Sequence, residues 1–187
     1  MDEKSFEDIV IELAQRGTIR PTDIPALDLY MDQIMTLFDN YLNDHKRYED
    51  DKLLTKTMIN NYSKEGILKP IKGKKYSKEH ILQMLLIYSL KNTITIQEVK
   101  KVLLPFHEDT KEIEPIYEKY LQLSNEIINN QANQIIEIIS QNNLKTDNPN
   151  DLTLTILIIC SLSNYYQSIA QKMLDAYYSE DNKKRKS

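Results

Sequence analysis

The sequence predicts an all-α protein of 187 residues that contains one small β-hairpin. Apolar residues recur at helical spacing along most of the chain, and three glycines are too few for a sheet with many tight turns. A lysine-rich segment around Gly73, bracketed by short apolar stretches, is typical of a hairpin. Hydrophobic residues make up 41% of the sequence, which is enough to form buried cores.

The elements fall into three predicted parts. Residues 1–23 hold a short amphipathic helix and a loop, and this helix can either dock on the core or fray. Residues 24–105 form a compact helix–hairpin–helix unit, closed by Pro105. Residues 106–187 form two long helices and a disordered basic tail.

Lysines are concentrated in the middle of the chain. Residues 52–105 carry eleven lysines and three acids, a net charge of +8. Residues 1–51 carry −8 and residues 106–187 carry −4, so the overall charge of −4 conceals a basic segment. Because a positive patch on a compact unit attracts polyanions, double-stranded DNA is the leading candidate partner.

The segment from about residue 55 to 65 predicts a helix with two different faces. Thr55 is a suitable N-cap, and Gly66 is a suitable stop. The face expected to meet a core consists of Met58, Ile59 and Tyr62. The opposite, polar face consists of Thr57, Asn60, Asn61 and Lys64, and Lys56 beside it is a further candidate for DNA contact. Such side chains can contact base edges or phosphates, although a polar stripe is also typical of an ordinary solvated helix face.

A lysine-rich turn follows this helix and is predicted to be the hairpin. Ile67-Leu68 and Tyr76 are its expected strand ends, and Gly73 supplies a positive φ at the tip. The lysines of the turn and its exit are Lys69, Lys72, Lys74, Lys75 and Lys78. Like charges this close together repel one another, and a phosphate backbone would offset that cost.

The run from Met58 to Pro70 resembles the recognition helix and wing of MerR-type winged helix-turn-helix regulators, and the segments after Tyr76 resemble the two helices that follow in that family. The resemblance implies a winged helix-turn-helix over residues 24–105, with the helix at 55–65 in the major groove and the lysines of a wing at 69–75 on phosphates.

The likeness to MerR proteins is incomplete. Asn60 and Ser77 stand where those proteins have arginine, and Asn61 stands where they have an aromatic residue. The expected first helix, Leu29–Leu42, is followed by a long charged connection, Asn43–Leu53. The resemblance therefore implies a DNA-binding fold, but it does not imply the promoter-untwisting mechanism of MerR proteins.

Most of residues 24–105 is more similar to a bacterial family called domain of unknown function 1836. The pattern of that family includes the stretches IPALDLYMDQ, LTKTMINNY and KKYSKEH of this chain. This second resemblance implies a family but no activity.

The two C-terminal helices are predicted at about 112–142 and 152–178, with a turn-rich break between them. The first has a nearly 3.5-residue apolar seam. The second is expected to bury one stripe, made of Ile158, Leu162, Tyr165, Ile169, Met173 and Tyr177. Because one partner helix cannot cover that apolar content, a homodimer is the leading interpretation. An effector pocket lined by tyrosines and a surface for another partner stay open.

Catalysis finds no support in the sequence. The three histidines are isolated, and the sequence contains no nucleophile triad order, phosphate-binding loop or dinucleotide fingerprint. We therefore expect no enzyme activity, no metal and no cofactor. The single Cys160 is expected to be a buried thiol. Charged opening residues and an apolar run, Leu154–Leu162, that is short for a bilayer favour a cytoplasmic protein without a membrane span.

Two functional hypotheses follow from these patterns. The first is a dimeric, sequence-specific DNA-binding transcriptional regulator, most simply a repressor. The second is a protein-interaction module that uses the winged-helix scaffold to bind an acidic partner, or the acidic residues 1–51 of the chain itself.

Overall fold

The computed structural model of the protein describes residues 4–71, 73–108 and 110–178, and it is mostly helical, as predicted. The described residues form α1 (Phe6–Ala14), β1 (Leu29–Tyr30), α2 (Met31–Leu42), α3 (Lys56–Lys64), β2 (Lys75–Tyr76), α4 (Lys78–Leu90), α5 (Ile96–Leu103), α6 (Pro105–Glu108), α7 (Ile113–Gln141) and α8 (Pro149–Tyr177). Short 3-10 turns lie at Pro21–Asp23, Asn43–His45 and Thr110–Glu112. The predicted disordered tail after residue 178 lies outside the described residues.

The chain divides into two compact units. One unit is Gly17–Tyr120, and the other combines Met1–Arg16 with Leu121–Ser187. Residues 17–120 thus extend past the boundary expected at Pro105, because Ile113 and Tyr117 in the first turns of α7 are buried. The Tyr117 hydroxyl also donates to the carbonyl oxygen of Ile19 at 2.9 Å, and its burial raises the pKa of that hydroxyl.

Helix α4 forms the centre of the unit 17–120. Every residue from Ile81 to Ile87 is buried, which explains why this helix is apolar on all sides rather than amphipathic. The helices α2, α3 and α5 each contribute one buried stripe at helical spacing. Their buried side chains are Ile34, Phe38 and Leu42 from α2, Ile59 and Tyr62 from α3, and Val99 and Leu103 from α5.

The two short strands pair differently from the predicted hairpin. Tyr76 lies in a strand, as expected, but its partner is Leu29 and not Ile67-Leu68. The next antiparallel pair joins Tyr30 to Lys75. The backbone N–H groups of Ile67 and Leu68 instead donate to the Tyr62 carbonyl oxygen at 2.9 and 3.2 Å, which ends α3 and leaves them without a strand partner.

The long charged connection between α2 and α3 has a defined local structure. The Asp51 carboxylate accepts from the backbone N–H groups of Arg47 and Tyr48, both at 3.1 Å. Leu53 and Leu54 are buried at its end, immediately before α3 begins. The connection is therefore ordered by local hydrogen bonds and anchored in the core at its end, while residues 47–52 are exposed.

The unit of α1, most of α7 and α8 differs from the first unit in burial. Among its described apolar side chains, only Ile139 and Leu174 are buried. The stripe predicted to be buried on α8 is instead solvent-facing at Leu162, Tyr165, Ile169, Met173 and Tyr177, and Ile158 is half-buried. The periodicity of these residues correctly indicated an apolar face, but α1 and α7 do not cover it.

Candidate nucleic-acid interface

Helix α3 begins and ends at the predicted residues. The Thr55 hydroxyl accepts from the backbone N–H of Met58 at 3.1 Å, which confirms Thr55 as the N-cap. Gly66 follows the helix with a φ of 65°, a left-handed conformation that glycine adopts without a Cβ penalty. These two residues fix the length and the direction of α3.

The two faces of α3 also lie as predicted. Ile59 and Tyr62 are buried and Met58 is half-buried on the core side. The exposed side chains on the other side are Lys56, Thr57, Asn60, Asn61 and Lys64. The side chains of Thr57, Asn60 and Asn61 form no hydrogen bonds with other described residues. Their donors and acceptors therefore face solvent and can reach a ligand.

Helix α5 holds the C-terminal end of α3. The Lys100 ammonium donates to the Glu65 carbonyl oxygen at 2.6 Å, where the negative end of the α3 dipole favours a cation. The Gln97 amide lies 3.5 Å from the Glu65 carboxylate. The sequence showed Lys100 only as one basic residue among many, and its helical position in α5 gave no signal for this contact.

The lysine-rich turn after α3 is tied to α4 at two points. The backbone N–H of Lys69 donates to the side-chain oxygen of Gln83 at 3.0 Å, and Gln83 is 0% exposed. One of the ring nitrogens of His80 lies 3.4 Å from the Pro70 carbonyl oxygen. Gln83 is the one polar residue within the apolar run from Ile81 to Ile87, and this signal could have identified it from the sequence.

The remaining turn lysines differ in their surroundings. Lys69 is half-buried, Lys74 and Lys75 are exposed, and Lys72 lies outside the described residues. Gly73 has a φ of 73°, as its place at the tip predicts. The Lys75 ammonium lies 5.1 Å from the centre of the Tyr30 ring, a cation–π contact across the strand pair. Sequence reasoning missed Tyr30, because the strand pairing that brings it here is non-local.

Two of the predicted DNA-contacting lysines are paired with acids of the same unit. Lys56 forms an ion pair with Asp32 of α2. Lys78 donates to the Glu114 carboxylate at 2.6 Å. Residues 17–120 carry sixteen basic and sixteen acidic residues, so the positive charge is local to the α3 face and the turn. The lysines best placed for an anion are therefore Lys64, Lys74 and Lys75.

The N-terminus of α4 contains a histidine-based cap. The backbone N–H of Ser77 donates to Nδ1 of His80 at 3.2 Å, which places the proton of the neutral ring on Nε2, facing Pro70. Burial lowers the pKa of His80. The hydrogen bond from the Ser77 hydroxyl lowers the pKa of the neighbouring Glu79 carboxyl. Both shifts favour a neutral ring beside a charged carboxylate where the turn meets α4.

The described residues contain no group of three or more His, Cys, Asp or Glu side chains that could hold a metal ion. His45 and His107 each lie 2.8 Å from a backbone carbonyl oxygen, of Gly17 and Ile67 respectively. Cys160 is exposed, contrary to the expectation of a buried thiol, because it lies on the uncovered side of α8.

Helix α8 also has the length and mean hydropathy of a membrane-spanning helix, and 6% of its most apolar window is buried. The sequence prediction considered only the longest apolar run, Leu154–Leu162, which Thr155 and Ser161 interrupt and which is too short to span a bilayer. The helix as formed is 29 residues long.

Comparison with known proteins gives one match. No curated protein and no solved structure matches the chain. The family model described as domain of unknown function (DUF1836) matches residues 19–123, which include α2–α6, both strands and the start of α7. Since this match covers more than half of the sequence, the chain belongs to the DUF1836 family, as its resemblance to that family indicated.

Proposed function

We propose that the protein is a sequence-specific DNA-binding transcriptional regulator that acts as a homodimer through its C-terminal helices and represses by occlusion. In this proposal α2 and α3 are the helices of a winged helix-turn-helix, and α3 lies in the major groove. The turn at residues 69–75 acts as the wing and contacts the phosphate backbone.

The observation that carries the proposal is the polar face of α3. Thr57, Asn60 and Asn61 are exposed, while the opposite face of the same helix is packed into the core. A helix fixed at both ends, with a row of unpaired amides and a hydroxyl, presents groups that can form direct hydrogen bonds with base edges. Lys64, Lys74 and Lys75 flank this row and supply charge for phosphates.

Selection from a random-sequence duplex pool tests the proposal. The purified full chain should enrich a palindrome whose half-sites lie about one helical turn apart. If about five phosphates are neutralised per protomer, the logarithm of the affinity should fall with the logarithm of the salt concentration with a slope near −4 to −5 per protomer. Binding without an enriched sequence would argue against a sequence-specific regulator.

Two substitutions separate the groove residues from the phosphate residues. Asn61→Ala should relax base preference, at a cost of about 1–3 kcal/mol for the selected site. Lys74→Ala should weaken binding to all sequences alike. The matched controls are Asn133→Ala and Lys145→Ala in the other unit, which should change neither the base preference nor the overall affinity for DNA. Equal losses of specificity from both test variants would contradict the placement of α3 in the groove.

The ion pairs Lys56–Asp32 and Lys78–Glu114 favour a second candidate function. They demonstrate that carboxylates already neutralise part of the basic surface, and an acidic protein segment could engage the rest in the same way. The selection experiment separates the candidates, since an interaction module would enrich no duplex. In that case an acidic partner should be captured by wild-type chain and lost from Lys74→Ala.

A further inference from the structure

We propose that the apolar surface of α1, α7 and α8 is covered by the same helices of a second copy of this chain, so that the core of this unit is completed only in the homodimer. The inference deepens the proposed function, because it assigns the interface that the regulator would use. The observations that carry it belong to these three helices alone and do not depend on DNA binding.

The first observation is the shortage of buried apolar residues in this unit. Among the described apolar residues of this unit only Ile139 and Leu174 are buried, whereas nineteen of its large apolar side chains are exposed. All the other buried hydrophobic residues among those described belong to the unit 17–120. A unit of this size cannot offset the entropy of ordering its helices with two buried side chains. Its apolar core therefore requires a further partner.

The second observation is the extent of the exposed surface on α8. Tyr165, Met173 and Tyr177 of its stripe are 62%, 56% and 74% exposed, and Ile156 and Leu157 outside the stripe are 53% and 61% exposed. With ~200 Å² for each large side chain, about ten of them half-exposed leave on the order of 1,000 Å² of apolar surface on this helix. Soluble monomers rarely expose more than a few hundred Å² in one patch, whereas a standard interface buries about 800 Å² per partner.

The third observation is an apolar groove between the three helices. It has a volume of about 750 Å³, and its lining includes Val10 and Leu13 of α1, Ile128 and Ile135 of α7, and Ile158 and Leu162 of α8. The lining contains no charged residue. At its edge the Tyr166 hydroxyl donates to the side-chain oxygen of Gln131 at 2.9 Å, so these polar groups satisfy each other. The groove thus suits apolar side chains from another helix.

A second copy fits this surface better than a small ligand or a bilayer. The stripe follows a helix of 29 residues, about 43 Å long, which exceeds the reach of a small molecule. The polar side chain of Asn164 near its middle is costly in hydrocarbon. Residues 152–171 carry no charge, so two copies can approach without repulsion.

Sedimentation of the full-length chain tests the inference. We expect the wild-type protein to sediment with twice its chain mass of 22.0 kDa and to dissociate on dilution. Leu157→Glu places a charge in the interface and should weaken association by about tenfold or more. The matched control is Leu27→Glu, at an apolar residue of the other unit that is 79% exposed, and it should associate like wild type. Equal weakening by both variants would overturn the assignment of the surface.

The single cysteine gives a second measurement that needs no substitution. Cys160 lies three and four residues after Leu157 and Ile156, on the same side of α8. Its reaction with a thiol reagent should slow as the protein concentration rises, since association covers this side. A chain that stays monomeric at all concentrations, with constant thiol reactivity and intact helices by circular dichroism, would overturn the inference.

The remaining outcomes identify other occupants and separate this inference from the proposed function. Vesicles of phosphatidylcholine and phosphatidylglycerol that bind a monomeric chain would overturn it in favour of a bilayer. A homodimer that enriches no DNA sequence would support the interface and overturn the DNA-binding proposal. A monomer that enriches a DNA site would overturn the interface and support DNA binding.

Discussion

Gly17 occupies a position with no room for a side chain. Its N–H donates to the Asp44 carboxylate at 2.7 Å, its carbonyl oxygen lies 2.8 Å from Nε2 of His45, and an added Cβ would overlap the carbonyl oxygen of Tyr41. No sign of this arrangement is visible in the sequence, which showed His45 only as one of three isolated histidines. Only the fold reveals that both side chains bind one glycine at the start of the unit 17–120.

Gly17→Ala should therefore destabilise the protein more than Gly73→Ala. The first variant forces a steric overlap with backbone, which costs about 1–3 kcal/mol and also disturbs both hydrogen bonds. The second meets open space, so its cost is that of a left-handed alanine, about 1 kcal/mol. Urea unfolding followed by circular dichroism measures both free energies. A smaller loss for Gly17→Ala than for Gly73→Ala would contradict the packing around Tyr41.

The buried cap of α4 predicts a pH dependence of stability. Burial lowers the pKa of His80 in the folded protein from its ordinary value of 6.5, so the unfolded chain binds the proton more tightly. Above pH 6.5 the neutral ring contributes its full share to the free energy of unfolding. This share is lost as the pH falls through the lower pKa of the folded protein.

His80→Gln should remove this pH dependence, because glutamine does not titrate. It should keep the cap, because the glutamine side chain can still accept from the backbone N–H of Ser77 in a capping box. The measurement is the difference in unfolding free energy between wild type and variant from pH 7.5 down to pH 5. We expect wild type to lose more stability than the variant as the pH falls. Parallel curves would exclude His80 as the titrating group.

At the scale of elements, the contact between α5 and α3 predicts a clear difference between two adjacent lysines. Lys100→Met removes the ammonium from the C-terminal end of α3 and should cost about 0.5–1 kcal/mol of stability. Lys101→Met is the matched control, since Lys101 is exposed on the same helix. Urea unfolding measures the free energy of unfolding of both variants. If Lys100→Met kept full stability and only lost DNA affinity, Lys100 would be a phosphate contact rather than a helix cap.

The elements also differ in how far the sequence could predict them. The ends of α3 could be predicted because Thr55 and Gly66 act on backbone groups within a few residues. The partner of Tyr76 could not, because Leu29 lies more than forty positions earlier and a two-residue strand has no periodicity of its own. Tyr30 entered the candidate site through this non-local pairing, whereas Gln83 had a sequence signal as the one polar residue between Ile81 and Ile87.

For the whole molecule, hydrophobic periodicity predicted which faces are apolar but not which chain covers them. The stripes on α2, α3 and α5 are buried within the unit 17–120. The equally clear stripe on α8 is exposed within one chain. A sequence pattern reports the preference of a face for burial and contains no information on whether its partner belongs to the same molecule.

The pairing of Leu29 with Tyr76 has a consequence for the order in which the unit 17–120 folds. Two residue pairs close a loop that contains α2, the charged connection, α3 and the lysine-rich turn. Closing so long a loop costs more free energy in chain entropy than two residue pairs can contribute. This strand pair therefore cannot nucleate folding. We therefore predict that it forms after the buried core of the unit has assembled, and that the candidate wing acquires its final shape late in folding.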